Sequence, residues 1–253
     1  MDFRKVFDRI PAQFDRWRPR YCTAAFDAII QHAKLGPGKT VLEIGPGTGQ
    51  ATEPILKTGC NYLGIELGEH LAAYMEQKFQ SYDNFQIVNA DFETYDFGPQ
   101  KFDLVYSAAT IQWIPEEIGF GRSFDLLKPG GTFAMMMTKV DYQSANPKLY
   151  EEIQAFYEKY YHPEVEYDCH LKYDNVVNYG FTDLTFQTFP APRVLTADEY
   201  VEYIGTHCTH IVLPEADQHN LYTGIRAAIE GAGGTITLTD AVGLFFARKP
   251  TGK

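Results

Sequence analysis

The chain has 253 residues, 45% apolar, 22% charged and 15% aromatic, with 21 glycines and 14 prolines. Such a composition belongs to globular proteins and excludes disordered, collagen-like and low-complexity chains. Twenty-two Lys and Arg stand against 33 Asp and Glu, a formal net charge of −11, which argues against a surface built to neutralise many nucleic-acid phosphates.

The cysteines Cys22, Cys60, Cys169 and Cys208 lie far apart with no CxxC pair, so neither a disulfide framework nor a zinc ribbon is expected. The amino-terminal MDFRKVFDRI is mixed in charge and lacks the apolar core of a secretory signal. The most apolar stretches, 133–137 and 242–247, are strand-length, whereas a bilayer span takes roughly 20 apolar residues. The expectation is a soluble cytoplasmic protein with neither membrane nor nucleic-acid partners.

In chain order, residues 1–35 read as helices broken by Pro11 and Pro19, with Phe3, Val6, Phe7 and Ile10, then Phe26, Ile29 and Ile30, at helical spacing. A short buried strand is expected at 40–44. Further strands follow at 62–65, 85–88, 102–106 and 132–137, with helices at 51–57 and 69–79 between the first three. This alternation implies βαβ units and a parallel sheet. Beyond about residue 140 the rhythm changes: a very aromatic helix at 148–160, a strand at 184–189, helices at 198–205 and 215–230, and a last strand at 244–248. The 190–235 stretch reads as a helical insertion between two late strands.

The segment Val41-Leu42-Glu43-Ile44-Gly45-Pro46-Gly47-Thr48-Gly49-Gln50-Ala51 carries the most chemistry. A buried strand feeds a glycine-rich turn that is expected to open a helix. Glycine lets backbone approach a ligand, and a helix amino terminus offers N–H groups to an anion. Gly38-Lys39-Thr40 imitates the end of a phosphate-binding loop, but Ala33 stands where that loop needs glycine, and the segment precedes its strand instead of following it. The dinucleotide fingerprint G-x-G-x-x-G would need glycine at position 50, where Gln50 stands. What is present is G-x-G-x-G, with Glu43 two residues before the first glycine. Glu66 ends the second strand in Gly64-Ile65-Glu66-Leu67, where a carboxylate can accept from two ribose hydroxyls. Asp91-Phe92 follows the third strand, and Leu127-Lys128-Pro129-Gly130-Gly131-Thr132 enters the fifth.

As a group these motifs, over about residues 38–140, resemble the class I S-adenosylmethionine-dependent methyltransferases. The resemblance implies an α/β fold: a seven-stranded, mostly parallel Rossmann-like methyltransferase sheet with its last strand antiparallel, plus a helical lid. It implies a single methyltransferase domain over residues 1–253. Cofactor-covering helices would occupy 1–35, and the lid would come from about 140–180 and 190–235. Gly45, Gly47 and Gly49 would line the methionine moiety of S-adenosylmethionine. Glu43 would orient the loop and the methionine amine, Glu66 with Leu67 would serve the ribose, and Asp91 with Phe92 the adenine. S-adenosylhomocysteine would be the product.

Two further segments resemble the small-molecule branch that includes trans-aconitate methyltransferase. Arg18-Pro19-Arg20-Tyr21 is similar to its cofactor-covering R-P-x-Y, though Cys22 follows where many relatives have proline. Ser107-Ala108-Ala109-Thr110-Ile111-Gln112-Trp113 is similar to its loop after strand four. Arg18 and Tyr21 would then approach the methionine end, and Ser107, Gln112 and Trp113 would wall the site. Packing of Trp113 in the core, and solvation of Arg16, Arg18 and Arg20, are the plain alternatives.

The first 20 residues hold six Lys and Arg against three Asp, a local positive field that favours an anionic acceptor such as a carboxylic acid. The sulfonium activates its own methyl group, so the protein mainly aligns the reactants. An acceptor oxygen or nitrogen can still need a base, for which Tyr21 and His207 are candidates, with His210 beside the latter. His207, Cys208 and His210, even with Cys169-His170, lack metal-ligand spacing, and no metal is expected. The rings of Phe156-Tyr157-Glu158-Lys159-Tyr160-Tyr161 either pack a helix or line an apolar acceptor pocket. The expectation is methyl transfer to a small-molecule acceptor. The alternatives are a non-catalytic cofactor-binding module, an RNA or protein methyltransferase, and a dehydrogenase.

Overall fold

A 3-10 helix at Phe3–Arg9 precedes α1 (Pro11–Trp17), where Pro11 sits in the first turn and its missing N–H has no partner to lose. The computed structural model describes residues 2–163 and 171–252. In α2 (Thr23–Ala33), Ala25, Phe26, Ile29 and Ala33 are buried, and the helix stops at Lys34 in the left-handed region. Then come β1 (Thr40–Ile44), α3 (Glu53–Leu56), β2 (Asn61–Glu66), α4 (Glu69–Phe79), β3 (Phe85–Asn89), β4 (Phe102–Ala108), α5 (Glu116–Leu126) and β5 (Leu127–Lys139). The later half adds α6 (Pro147–Tyr160), a 3-10 helix at Tyr173–Tyr179, β6 (Thr182–Pro190), β7 (Arg193–Thr196), α7 (Ala197–Gly205), α8 (Cys208–Ile211), α9 (Glu215–Gly231), β8 (Thr235–Leu238) and β9 (Ala241–Arg248).

Contacts divide these elements into two compact units. The sheet unit comprises Pro19–Thr138, Cys169–Phe189 and Val242–Lys253; the helical unit comprises Met1–Arg18, Lys139–Asp168 and Pro190–Ala241.

The sheet has seven strands in the order β3-β2-β1-β4-β5-β9-β6. The pairs β3-β2, β2-β1, β1-β4 and β4-β5 are parallel. The last strand in sequence, β9, runs antiparallel: the end of β9 meets the start of β5, with Gly130 N–H donating to the Lys249 carbonyl and Lys249 N–H to that of Gly131. Strands covered on both faces read as continuous apolar runs, as Val41, Leu42 and Ile44 do in β1, all at most 1% exposed. At the amino-terminal edge Asp103 accepts from Lys128 Nζ at 2.7 Å, Lys39 Nζ at 3.0 Å and Thr40 N–H at 2.9 Å, tying β4 to β1 and β5. Burial raises the pKa of this carboxyl, but those donors outweigh it and hold Asp103 well below the usual carboxylate range.

The helical unit is centred on Leu149 and Ile153 of α6, Tyr200 and Ile204 of α7, Leu221, Ile225 and Ile229 of α9, and Ile236 and Leu238 of β8. β7 and β8 form an antiparallel pair. Its ends are fixed by Asn146 Nδ2 donating to the Thr237 carbonyl and by an Arg193–Asp240 ion pair at 2.6 Å. Thr196 caps α7 in a reciprocal box with Glu199.

The structure departs from the sequence expectations in three places. The helix expected at 51–57 shrinks to α3, because Gly49 at φ +85° and Pro54, which has no N–H to donate, confine it. The fifth strand starts at Leu127 rather than 132, with a register shift opposite Phe102/Leu104. The stretch 190–235 is not purely helical: it includes β7 and the first residue of β8.

Candidate functional site

The strand registers align one edge of the sheet. Ile44 pairs with both Ile65 and Ser107, and Glu66 pairs with Asn89. The residues that follow, from Gly45, Leu67, Ala90 and Ala109 onward, therefore leave the sheet together at its carboxyl edge, where open α/β sheets bind ligands.

The loop after β1 holds Gly45, Gly47 and Gly49 at φ +62°, +61° and +85°. A Cβ on Gly45 would collide with the Thr110 side chain, and one on Gly49 with the ring of Phe79 and with Met75 Sδ. Thr110 Oγ1 donates to the Gly45 carbonyl at 2.8 Å, and Lys78 Nζ donates to that of Thr48 at 2.8 Å. The loop N–H groups turn inward: Gly45 to the Ile65 carbonyl, Gly49 to the Pro46 carbonyl, and Gly47 to Glu66 Oε2 at 2.9 Å. The first helix after the loop begins only at Glu53 and is four residues long. The expected cradle of free N–H groups at a helix amino terminus is absent here. The loop is shaped for close approach rather than for gripping a pyrophosphate, which weighs against a dinucleotide.

Two carboxylates flank this loop. Glu66 is 5% exposed; its Oε1 accepts from Gly68 N–H at 2.9 Å while Oε2 holds Gly47, so it is fixed across the mouth of the loop. Beneath it Glu43 is 1% exposed. Its Oε2 accepts from Thr52 Oγ1 at 2.6 Å, Tyr62 OH at 2.5 Å and Tyr106 OH at 2.6 Å. Its Oε1 is buried with no hydrogen-bond partner among the described residues. Burial raises the Glu43 pKa against the pull of these three hydroxyls, and burial with the neighbouring carboxyl drives both tyrosines well above theirs.

The helical unit contains a cavity of about 240 Å³ walled by Tyr142, Tyr150, Tyr157, Tyr161 and Tyr200, with His207, His210, Ile153, Gln154 and Ile236. His210 is bridged on both nitrogens, Nε2 to Tyr157 OH at 3.3 Å and Nδ1 to Tyr222 OH at 3.1 Å, and burial pushes its pKa down to about 4. His207 begins α8 and lies edge-on to Tyr203. Burial first, then the charges of Arg18, His210 and Arg193, hold it well below the ordinary histidine value. Both imidazoles are therefore neutral at physiological pH.

The aligned edge, the glycine loop and its two acids coincide with a sequence match. Residues 42–135 match the Methyltransferase domain family. The matched segment runs from within β1 to the middle of β5 and contains both carboxylates. A ribosomal RNA small subunit methyltransferase A of Thermosynechococcus vestitus is 39% identical over 71 residues, 28% of this chain and 26% of that protein. A malonyl-[acyl-carrier protein] O-methyltransferase of Marinomonas sp. is 29% identical over 131 residues, 50% of this chain and 48% of that protein. The chain thus spans half or less of the length of these curated relatives. Phosphoethanolamine N-methyltransferase 2 of Haemonchus contortus, solved with phosphomonomethylethanolamine and S-adenosylhomocysteine, shares the fold at a TM-score of 0.59 and 19% identity, over 99% of this chain and 60% of that one.

The sheet unit brings most of the sequence-selected residues to its carboxyl edge. Asp91 Oδ1 accepts from Glu93 N–H at 2.9 Å. Phe92 turns into the core, 4% exposed, with its ring 6.0 Å from Phe97. Leu67 is half-buried. Ser107 is fully buried and its Oγ accepts from Ile111 N–H. Gln112 donates to the Ala109 carbonyl at 2.9 Å and accepts from Tyr173 OH at 3.4 Å, and Trp113 is half-buried beside it. Tyr21 folds with this sheet unit, edge-on to Phe26. Arg18 and His207 belong instead to the helical unit, where Arg18 Nη2 donates to the Thr206 carbonyl at 2.8 Å and its guanidinium lies over Phe14 and Phe7. Arg16 lies over Trp17, and Arg20 is exposed. Among the described residues no group of three His, Cys, Asp or Glu side chains gathers to hold a metal, and Cys169-His170 lie outside them.

Sequence reasoning missed Thr52, Tyr62 and Tyr106, the partners of Glu43, and Thr110, which braces the loop. Their only signal is an acid in the middle of an otherwise apolar strand, which demands donors from its neighbours. No helix among the described residues is long and apolar enough to cross a membrane.

Proposed function

We propose that the chain transfers a methyl group from S-adenosylmethionine to a small molecule bearing an ionisable oxygen. The observation that carries this reading is the pair of carboxylates, Glu66 and Glu43, fixed around a glycine loop at the carboxyl edge of a sheet ordered β3-β2-β1-β4-β5-β9-β6. The residues fit the cofactor on two counts. Glu43 Oε1 is buried without a donor, and the methionine ammonium is one it can accept from. Three loop N–H groups, those of Gly45, Gly47 and Gly49, are already spent within the protein, which suits a ligand with no phosphate.

When bound, S-adenosylmethionine supplies a methyl group already activated on a sulfonium. The chain's own part is alignment. Gly47 and Gly68 N–H set the Glu66 carboxylate toward ribose hydroxyls, Asp91 serves the adenine amino group, and Gln112 with Trp113 closes the wall after β4. Arg18 adds positive field in the helical unit. The finer kinship with the trans-aconitate methyltransferase branch rests on Arg18-Pro19-Arg20-Tyr21 and on Gln112-Trp113. The net charge of −11 weighs against an RNA acceptor.

Calorimetric titration with S-adenosylhomocysteine tests the cofactor. A hydrogen bond to a charged group is worth roughly 1.5–3 kcal/mol, so Glu66→Ala is expected to weaken binding at least about tenfold. Absence of binding by the wild type, or equal affinity in the variant, overturns the assignment. For the acceptor, Arg18→Ala is expected to slow turnover of acidic acceptors more than neutral ones in a screened panel. Equal losses refute the charge preference, and tight RNA binding at low salt refutes the small-molecule reading.

A further inference from the structure

We infer that the cavity of the helical unit binds a planar ring carrying a weakly acidic hydroxyl, a phenol or enol, whose O–H donates to the imidazole of His207. The inference rests on the proposed function only for naming that ring as the methyl acceptor; the binding claim stands on the cavity itself.

The walls are ring faces, and aromatic pairs prefer offset or edge-on contact with another ring. At about 240 Å³ the space falls just below the usual 300–1,000 Å³ of small-molecule pockets, which limits the occupant to one small ring system. Three polar groups of the wall are committed. Tyr157 is hydrogen-bonded to His210 and Tyr161 to Thr209, and His210 is saturated by Tyr157 and Tyr222. His207 is the one lining imidazole without a hydrogen-bond partner among the described residues; the Tyr150 and Tyr200 hydroxyls and the Gln154 amide, which can donate as well as accept, are likewise unengaged there. A neutral imidazole has one acceptor nitrogen, and its natural complement is an O–H.

Charge selects among hydroxyl, amine and carboxylate. Among the described residues no carboxylate lines the cavity, and the cations acting on His207 are Arg18 and Arg193, so an ammonium finds no counter-charge among them and meets repulsion. Neither arginine lines the cavity: Arg18 donates to the Thr206 carbonyl and lies over two ring faces, and Arg193 pairs with Asp240 and lies over the face of Tyr203. A buried carboxylate would therefore lack the direct cation it needs. A neutral O–H gains from the acceptor and pays neither penalty. An O-methylated ring has lost the O–H and should bind more weakly.

The test is calorimetric titration of the full chain, without cofactor, at neutral pH with three probes of one size: 4-methylphenol, 4-methylanisole and 4-methylbenzoate. The phenol is expected to bind about tenfold tighter than the anisole, the increment of one hydrogen bond left unmade, and the benzoate no tighter than the anisole. His207→Phe keeps a ring but no acceptor, and should bring the phenol down to the anisole's affinity while the anisole still binds. His207→Gln, which keeps an acceptor, should retain the preference. Binding of none of the probes, equal binding of phenol and anisole, a preferred benzoate, or an unchanged preference in His207→Phe each overturns the inference. Should His207→Phe fail to fold, the three wild-type affinities decide alone. Failure of the S-adenosylhomocysteine titration leaves these affinities untouched, so the two readings fail separately.

Discussion

In the sheet unit the functional groups are backbone positions and acids lying at or beside strand ends. In the helical unit they are rings drawn from segments as distant as Tyr157 and His210, 53 residues apart. The first arrangement is written locally, since a glycine with positive φ and an acid at a strand end each have a short sequence signature. The second exists only after α6, α7, α8 and α9 have packed. The ionisable groups differ too. Glu43 is a buried acid supplied with three hydroxyl donors on one oxygen, whereas His207 and His210 are buried bases kept neutral among tyrosines.

The sharpest way to break the comparison is Gly49→Ala. The new Cβ meets Met75 and Phe79 at a φ of +85°. Overpacking and left-handed strain together are expected to cost about 3–5 kcal/mol, measured by denaturant unfolding, with loss of S-adenosylhomocysteine binding. A stability within about 1 kcal/mol of wild type would show that the loop is not held by α4.

Next in size is the pH dependence of the helical unit. The unfolded chain protonates His210 near pH 6.5, but the folded chain does so only near pH 4. Between these values the unfolded state binds more protons, so stability is full above about pH 6.5 and falls toward pH 4 by about 3 kcal/mol from His210 alone. His207, lowered in the same direction, adds to the loss. The chain's two tryptophans fall one to each unit, Trp17 in the helical and Trp113 in the sheet unit. With Trp113→Phe, fluorescence of Trp17 follows the helical unit through the titration. A flat profile over pH 4–6.5 would contradict the neutral histidine pair.

The smallest of these effects should come from Tyr62→Phe, which removes one of three donors from Glu43 Oε2 and is expected to cost about 2 kcal/mol. Chemical unfolding of the variant measures it. A loss below about 0.5 kcal/mol would mean that Thr52 and Tyr106 suffice.

The sequence made the sheet unit largely readable. Apolar runs of four to seven residues placed β1, β2, β3 and β4 to within two residues, and the acids at 43, 66 and 91 marked the carboxyl edge before any coordinates. What it concealed there is physical. Gly49 and Pro54 cut the first helix to four residues, and the phosphate-style cradle inferred from a long helix went with it. In the helical unit, α7 and α9 followed from their amphipathic pattern. β7 and β8 were hidden because a four-residue strand beside a helix gives too few alternations to outvote its flanks, although Thr235-Ile236-Thr237-Leu238 does alternate. The cavity was legible only as an excess of aromatic residues at 156–161. Which rings face inward depends on long-range packing, and His207 stood out merely as one polar residue among several.

The strand order also sets a timetable for synthesis. β5, with Phe133, Ala134, Met135 and Met136 all at most 1% exposed in the finished fold, has β9 as its neighbour, and β9 does not end until Arg248, while β5 ends at Lys139. At ribosomal speeds of about 5–20 residues per second, the nascent chain carries a water-averse, unpaired strand edge for on the order of 5–20 s before the strand that shields it has been made. A chain built this way depends on something to guard that edge while the ribosome finishes, and its yield in the cell should track chaperone supply more closely than its final stability.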